Sequence, residues 1–261
     1  MRVLSAIITV LFLFSVFPAF ALERAELQAQ DSYMAALVSK VKSSTVSVGT
    51  YYYNDVPTTR FNGTGFAIGD GKRIVTNYHV IQPIIEKDRM FHLRIFHKEM
   101  PTKGVKAVLA AEDQFHDLAI LIMDGRVDPL PMAEDNTLKE GHRIAFTGYP
   151  IGFVLGLNST THTGIVSAIT PVILPSPHAS LIKGALVKHL EAPWDIIQID
   201  AVAYPGNSGS PVYRIATGEV VGVLNKVFVK GKKEHVLKEP SGLTYAVPVE
   251  FVRKLNNSIR K

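Results

Sequence analysis

The 261-residue chain contains no cysteine. No disulfide can form and no lipid can be attached through a thiol, so the fold must be held by its buried apolar residues. Exported animal proteins usually lean on disulfides, which makes a bacterial envelope or secreted setting the better expectation. Long apolar runs are equally scarce. One occupies residues 1–21, MRVLSAIITVLFLFSVFPAFA, and no other stretch is long enough to span a bilayer. That run has a single basic residue, Arg2, and ends in Ala19-Phe20-Ala21, the pattern of a secretory signal peptide cut between Ala21 and Leu22. An uncleaved membrane anchor is the alternative. Strong charge is missing too. Setting Arg2 aside leaves 27 basic (28 less one) against 23 acidic residues, a net of +4 that is too mild to argue for nucleic acid. The nine histidines show no HExxH or other metal-ligand spacing, so no metal and no cofactor are expected.

What the chain does have is apolar content, 47%, enough to bury a full core. Residues 22–43 read as an N-terminal helical segment, with Leu27, Met34, Leu37, Val38 and Val41 close to a 3.6 period. From there to Pro248 short segments rich in β-branched and aromatic residues alternate with Gly, Pro, Asn and Asp. About a dozen strands of this kind predict two antiparallel barrels or sandwiches. The turn-rich run 124–141 is the natural seam, placing the first unit at about 44–130 and the second at about 131–248. Phe251, Val252, Leu255 and Ile259 then recur at helical spacing, predicting a closing amphipathic helix over 249–260. Residues 172–194, with three prolines, read as a long loop insertion, and the lysines of 226–239 as a solvated hairpin tip.

Three stretches carry chemistry. GTGFAIGDGKRIVTNYHVI, 63–81, sets His79 just after a strand; DLAILIM, 117–123, opens a buried-looking strand with Asp117; PGNSGSP, 205–211, holds Ser208 in a glycine turn. A serine hydroxyl is a poor nucleophile at neutral pH and needs a base within hydrogen-bond reach. Histidine suits that task, and a carboxylate fixes its tautomer and stabilises the imidazolium. The order His, Asp, Ser is that of the chymotrypsin-like arrangement. It puts the first two residues before the seam and the third after it, so the site is expected in the cleft between the two units. His116, beside Asp117, is not expected to share that site, because neighbouring strand residues point to opposite faces.

GTGFAI…IVTNYHVI, DLAIL, GYPIG, TGIVSAI, IQIDAVAYPGNSG, EVVGV and GLTYAVPVEFVRKL together resemble, in order, the protease domain of HtrA/Deg-type trypsin-like serine endopeptidases. The resemblance implies an all-β chymotrypsin-like fold of two antiparallel six-stranded barrels with short N- and C-terminal helices. It implies His79 as general base, Asp117 as its orienting acid and Ser208 as nucleophile. The amides of Gly206 and Ser208 would form the oxyanion hole. Polypeptide substrates and homo-oligomers are implied as well. Such proteins usually continue into a peptide-binding PDZ domain, for which the six residues after Leu255 leave no room. No Ile-Val-Gly-Gly type terminus lies near Leu22, so the oxyanion turn is expected to be ordered in another way, with 172–194 the candidate.

Ser210, where many relatives have glycine, is similar to the GNSGSP of bacterial glutamyl endopeptidases. Those enzymes carry a histidine in their last specificity strand, whereas Gly222 to Phe228 here has none. The place six residues before the nucleophile, acidic in basic-specific trypsins, is Val202. A substrate pocket at Val202, Leu224 and Asn225 is therefore expected to prefer apolar or small side chains. Two other functions suit the same residues: a catalytically silent binding module on a protease fold, and a chaperone-like protein.

Overall fold

The computed structural model describes residues 2–134, 137–150, 157–172, 193–225 and 243–259, with side chains described from Glu23 onward. The expected loop insertion at 172–194 and the lysine-rich tip at 226–239 lie almost wholly outside the described residues. A helix, α1, runs Arg2–Ser44, and residues 1–40 form one compact unit while residues 41–261 form another. Among the residues whose side chains are described, from Glu23 onward, no helix is long and apolar enough to cross a membrane.

The larger unit contains two closed six-stranded antiparallel barrels, the chymotrypsin-like all-β fold. The first is built from β1 (Thr45–Tyr51), β2 (Thr59–Ile68), β3 (Arg73–Thr76), β4 (Leu93–Phe96), β5 (Val105–Asp113) and β6 (Leu118–Met123), closing in the order β1-β2-β3-β6-β5-β4. The second takes β7 (Arg143–Gly148), β8 (Thr160–Pro171), β9 (Asp195–Asp200), β10 (Pro211–Arg214), β11 (Val220–Leu224) and β12 (Leu243–Pro248), in the order β10-β11-β12-β9-β8-β7. Closure leaves no sheet edge unpaired, which is how these short strands avoid presenting open backbone.

The alternation in the strands decides which side chains fill the first barrel. Val46 and Val48 of β1, Leu93 and Ile95 of β4, and Ala119, Leu121 and Met123 of β6 share one buried cluster with Ile74 of β3. A one-residue slip of any strand would turn these groups outward, so the register is firmly specified. A short helix, α2 (Tyr78–Ile85), drops Val80, Ile81 and Ile84 into the same cluster. This helix leaves β3 at the mouth of the barrel and carries His79 on its first turn. The periodicity at the chain's end forms α3 (Val249–Ser258), which buries Phe251, Val252 and Leu255. It packs on β5 and β6 of the first barrel as well as on β11 and β12 of the second. Arg73 Nη1 donates to Asn256 Oδ1 at 3.0 Å, and Arg253 donates to the Ala133 carbonyl, so α3 bridges the barrels.

Candidate active site

His79 and Asp117 meet at the mouth of the first barrel. Asp117 Oδ1 accepts the His79 backbone N–H at 2.8 Å, and Oδ2 lies 2.6 Å from His79 Nδ1. An ionised carboxylate can only accept, so this pair places the proton on Nδ1 and leaves Nε2 as the basic nitrogen. Asp117 sits immediately before β6 with φ +55°, a left-handed conformation that a side chain with a Cβ adopts only when its surroundings impose it. Its carbonyl accepts from the Tyr78 amide at 3.1 Å and from Asn77 Nδ2 at 3.0 Å. Asn77 precedes α2 but makes no side-chain capping bond to the helix; its amide serves Asp117 instead.

Ser208 comes from the second barrel, on the loop between β9 and β10. Asn207 N donates to the Tyr204 carbonyl at 3.0 Å, closing a four-residue turn with Pro205 and Gly206 at its centre. Gly206 has φ +99°. Proline second and a glycine at positive φ third define a type II turn, whose central peptide is flipped relative to type I. That flip requires a residue without a Cβ. The amides of Gly206 and Ser208 have no hydrogen-bond partner among the described residues. Two such N–H groups, the serine's own and that of the glycine two residues before it, are suited to bind a developing oxyanion.

Thr64, on β2, ties this turn to the first barrel. Its amide donates to the Ser208 carbonyl at 2.8 Å, and its hydroxyl donates to the Gly206 carbonyl at 2.7 Å. The same oxygen accepts the Tyr149 amide at 3.0 Å, and the Thr64 carbonyl accepts from Thr76 Oγ1 at 2.7 Å. Thr76 ends β3, three residues before His79, so one threonine links the serine turn to the strand that leads into α2. Gly63 shows how closely the parts approach. A Cβ there would lie 2.7 Å from the Val80 side chain, next to His79, and 3.0 Å from the Ser208 carbonyl. Sequence reasoning missed Thr64. It stands in the quoted GTGFAI, but nothing local marks a threonine whose partners lie in another barrel.

Around this centre, Tyr149 is buried and donates its hydroxyl to the Thr45 carbonyl at 3.1 Å. Burial pushes its phenol up to about 12. His162 on β8 stacks on Phe146 with ring centroids 4.9 Å apart, and burial holds its imidazole below the usual range. Of the residues expected to line a substrate pocket, Val202 and Asn225 are half-buried and Leu224 is fully buried. Leu224 meets the serine turn through its backbone: its carbonyl accepts the Gly209 amide and its amide donates to the Ser210 carbonyl, both at 2.9 Å. His116 turns away from Asp117 and pairs with Asp113 at 2.6 Å. Among the described residues no group of three or more His, Asp or Glu side chains could hold a metal.

A family model of the trypsin-like peptidase domain matches residues 63–223, the span from Gly63 through β11. A probable periplasmic serine endoprotease DegP-like from Pseudomonas savastanoi pv. phaseolicola is 30% identical over 204 residues, covering 77% of this chain and 35% of that protein. Protease Do-like 1, chloroplastic, from Arabidopsis thaliana is 28% identical over 194 residues, covering 73% of this chain and 37% of that protein. Serine protease HTRA2, mitochondrial, from Drosophila virilis is 27% identical over 203 residues, covering 77% and 40%. The matched part of the chain thus spans little more than a third of the length of these relatives. With the two closed barrels and the family match over more than half its length, the chain belongs to the trypsin-like peptidase domain family.

Proposed function

We propose that this protein is an exported serine endopeptidase that cleaves polypeptides through an acyl-enzyme on Ser208. The observation that carries the proposal is the His79–Asp117 pair, held through both the backbone amide and Nδ1. Ser208 Oγ attacks the scissile carbonyl carbon while its proton passes to Nε2 of His79. The carbonyl oxygen becomes an oxyanion facing the Gly206 and Ser208 amides, and Asp117 stabilises the imidazolium formed beside it. His79 then gives the proton to the leaving amine as the C–N bond breaks. Water repeats the sequence on the ester, with His79 first as base and then as acid, and frees Ser208. A substrate pocket at Val202, Leu224 and Asn225 would suit apolar or small substrate side chains. Export follows from the apolar run at 1–21 and agrees with the periplasmic description of one relative.

A fluorophosphonate probe tests the proposal. The parent protein is expected to be labelled and a Ser208→Ala variant to remain unlabelled; absence of labelling in the parent would favour a silent protease-fold binding module. The labelled enzyme's cuts in a peptide library read the pocket, and a dominant cut after Glu or Arg would exclude the apolar preference.

A further inference from the structure

β5 and β6 form a hairpin in which Asp113 pairs with Leu118. Gln114, Phe115, His116 and Asp117 form the loop, and a carboxylate stands at each end of it. The two carboxylates hold two histidines in the same way. Asp117 takes the His79 amide at 2.8 Å and Nδ1 at 2.6 Å. Asp113 takes the His116 amide at 3.1 Å and Nδ1 at 2.6 Å. The first pair belongs to the site described above. The second has no part in it, yet it fastens the residue that precedes Asp117.

The His116 ring is itself clamped. It stacks on Phe251 of α3, with centroids 3.8 Å apart and planes 20° apart, and meets the edges of Trp194 at 5.0 Å and Phe115 at 4.8 Å. Asp113 therefore closes the loop on one side while α3 holds the imidazole on the other. The next peptide must carry Asp117 at φ +55°, which nothing in an aspartate favours strongly over ordinary helical or extended backbone. Its own closing bond, Asp117 N to the Gln114 carbonyl, is long at 3.4 Å. The loop's tighter fastening is the Asp113–His116 pair.

We propose that Asp113 and His116 are positioning residues, which hold the loop in the conformation that aims Asp117 at His79. The role rests on the reading of His79 and Asp117 as a catalytic pair, and it adds the C-terminal helix, through Phe251, to the parts that set the site. The bonds that Asp117 receives directly from α2 and Asn77 are the competing explanation, and the following experiment separates the two.

In a full-length Ser208→Ala background, the His79 Nδ1 proton sits in a 2.6 Å hydrogen bond to a carboxylate and should give a strongly deshielded proton resonance, assigned by its loss in His79→Gln. Asp113→Ala is expected to remove or broaden that resonance, while Asp113→Asn, which retains an acceptor for the His116 amide, preserves it. With Ser208 restored, Asp113→Ala should lower kcat on a peptide substrate about tenfold with KM within about twofold, since small misplacements of catalytic groups act on the transition state. His116→Ala, which leaves Asp113 and the amide bond in place, should change both readouts in the same direction by less. It also serves as the deciding variant if Asp113→Ala does not fold. An unchanged resonance and unchanged kcat in the folded variants would overturn the positioning role. A parent without peptidase activity would overturn the proposed function instead, and the resonance would still decide the positioning.

Discussion

Gly148 and Ser210 share one small space behind the serine turn. A Cβ on Gly148 would lie 2.0 Å from Ser210 Oγ, 2.9 Å from Asn207 Oδ1 and 3.0 Å from Thr64 Oγ1. Ser210 is fully buried, so its hydroxyl fills room that exists only because residue 148 has no side chain. That gives Ser210, odd when seen only as part of GNSGSP, a partner at the end of β7. Gly148→Ala should cost about 1–3 kcal/mol of stability by overpacking. Combined with Ser210→Gly, the cost should fall, with a coupling of about 0.5–3 kcal/mol between contacting sites. Urea unfolding of the four proteins in this cycle measures it, and strictly additive losses would show that the two residues do not compete for space.

At the scale of elements, β2 belongs to the first barrel but reaches the second through Thr64, and it matters more than its sequence suggests. The twelve strands were legible because each is a short β-branched or aromatic segment closed by Gly, Pro, Asn or Asp, and the closing helix because four apolar residues recur on one face. The order of His79, Asp117 and Ser208 was legible for a different reason: each lies in a motif whose neighbours are informative. The contacts between elements were not. Thr64 reaches Gly206 and Tyr149, and Asp113 reaches His116 across a loop, but hydrogen bonds of this kind leave no periodic trace in a sequence. Helix α2 was likewise hidden, since YHVIQPII has eight residues, β-branched members and an internal proline. Thr64→Val isolates the strand's contribution. It keeps the shape of the side chain but removes the donor to Gly206 and the acceptor for Tyr149. The Gly206 carbonyl then loses its partner and the turn keeps only its backbone bond to residue 64, so fluorophosphonate labelling of Ser208 should slow by about tenfold. Thr64→Ser, which retains the hydroxyl, should label near the parent rate. Parent-like labelling of Thr64→Val would show that the turn holds its conformation without the Thr64 hydroxyl.

For the protein as a whole, the question is what keeps two barrels in register when no covalent bridge is available. Among the described residues the answer runs through buried polar contacts at the seam. Tyr149 is the clearest of them, because its phenol donates to the Thr45 carbonyl, at the start of β1, across the boundary between barrels. A phenolate could not donate, so the bridge exists only while Tyr149 is protonated. Burial raises its pKa from 10.0 to about 12 in the folded protein. Below pH 10 both folded and unfolded chains carry the proton and the full stability is present. Between pH 10 and about 12 the unfolded chain releases the proton while the folded chain retains it, so stability falls as pH rises. The gap of about two pKa units corresponds to about 2–3 kcal/mol over that window. Tyr213 on β10, also raised by burial, adds to the same decline. Tyr149→Phe should therefore be less stable than the parent at pH 8, by about 1 kcal/mol for the lost hydrogen bond. It should also lose stability more gently above pH 10, so that the two stability curves converge and then cross between pH 10 and about 12. Urea midpoints measured from pH 8 to 11.5 would reveal the convergence, and curves that stay parallel would mean that the alkaline limit of this fold is set away from the seam.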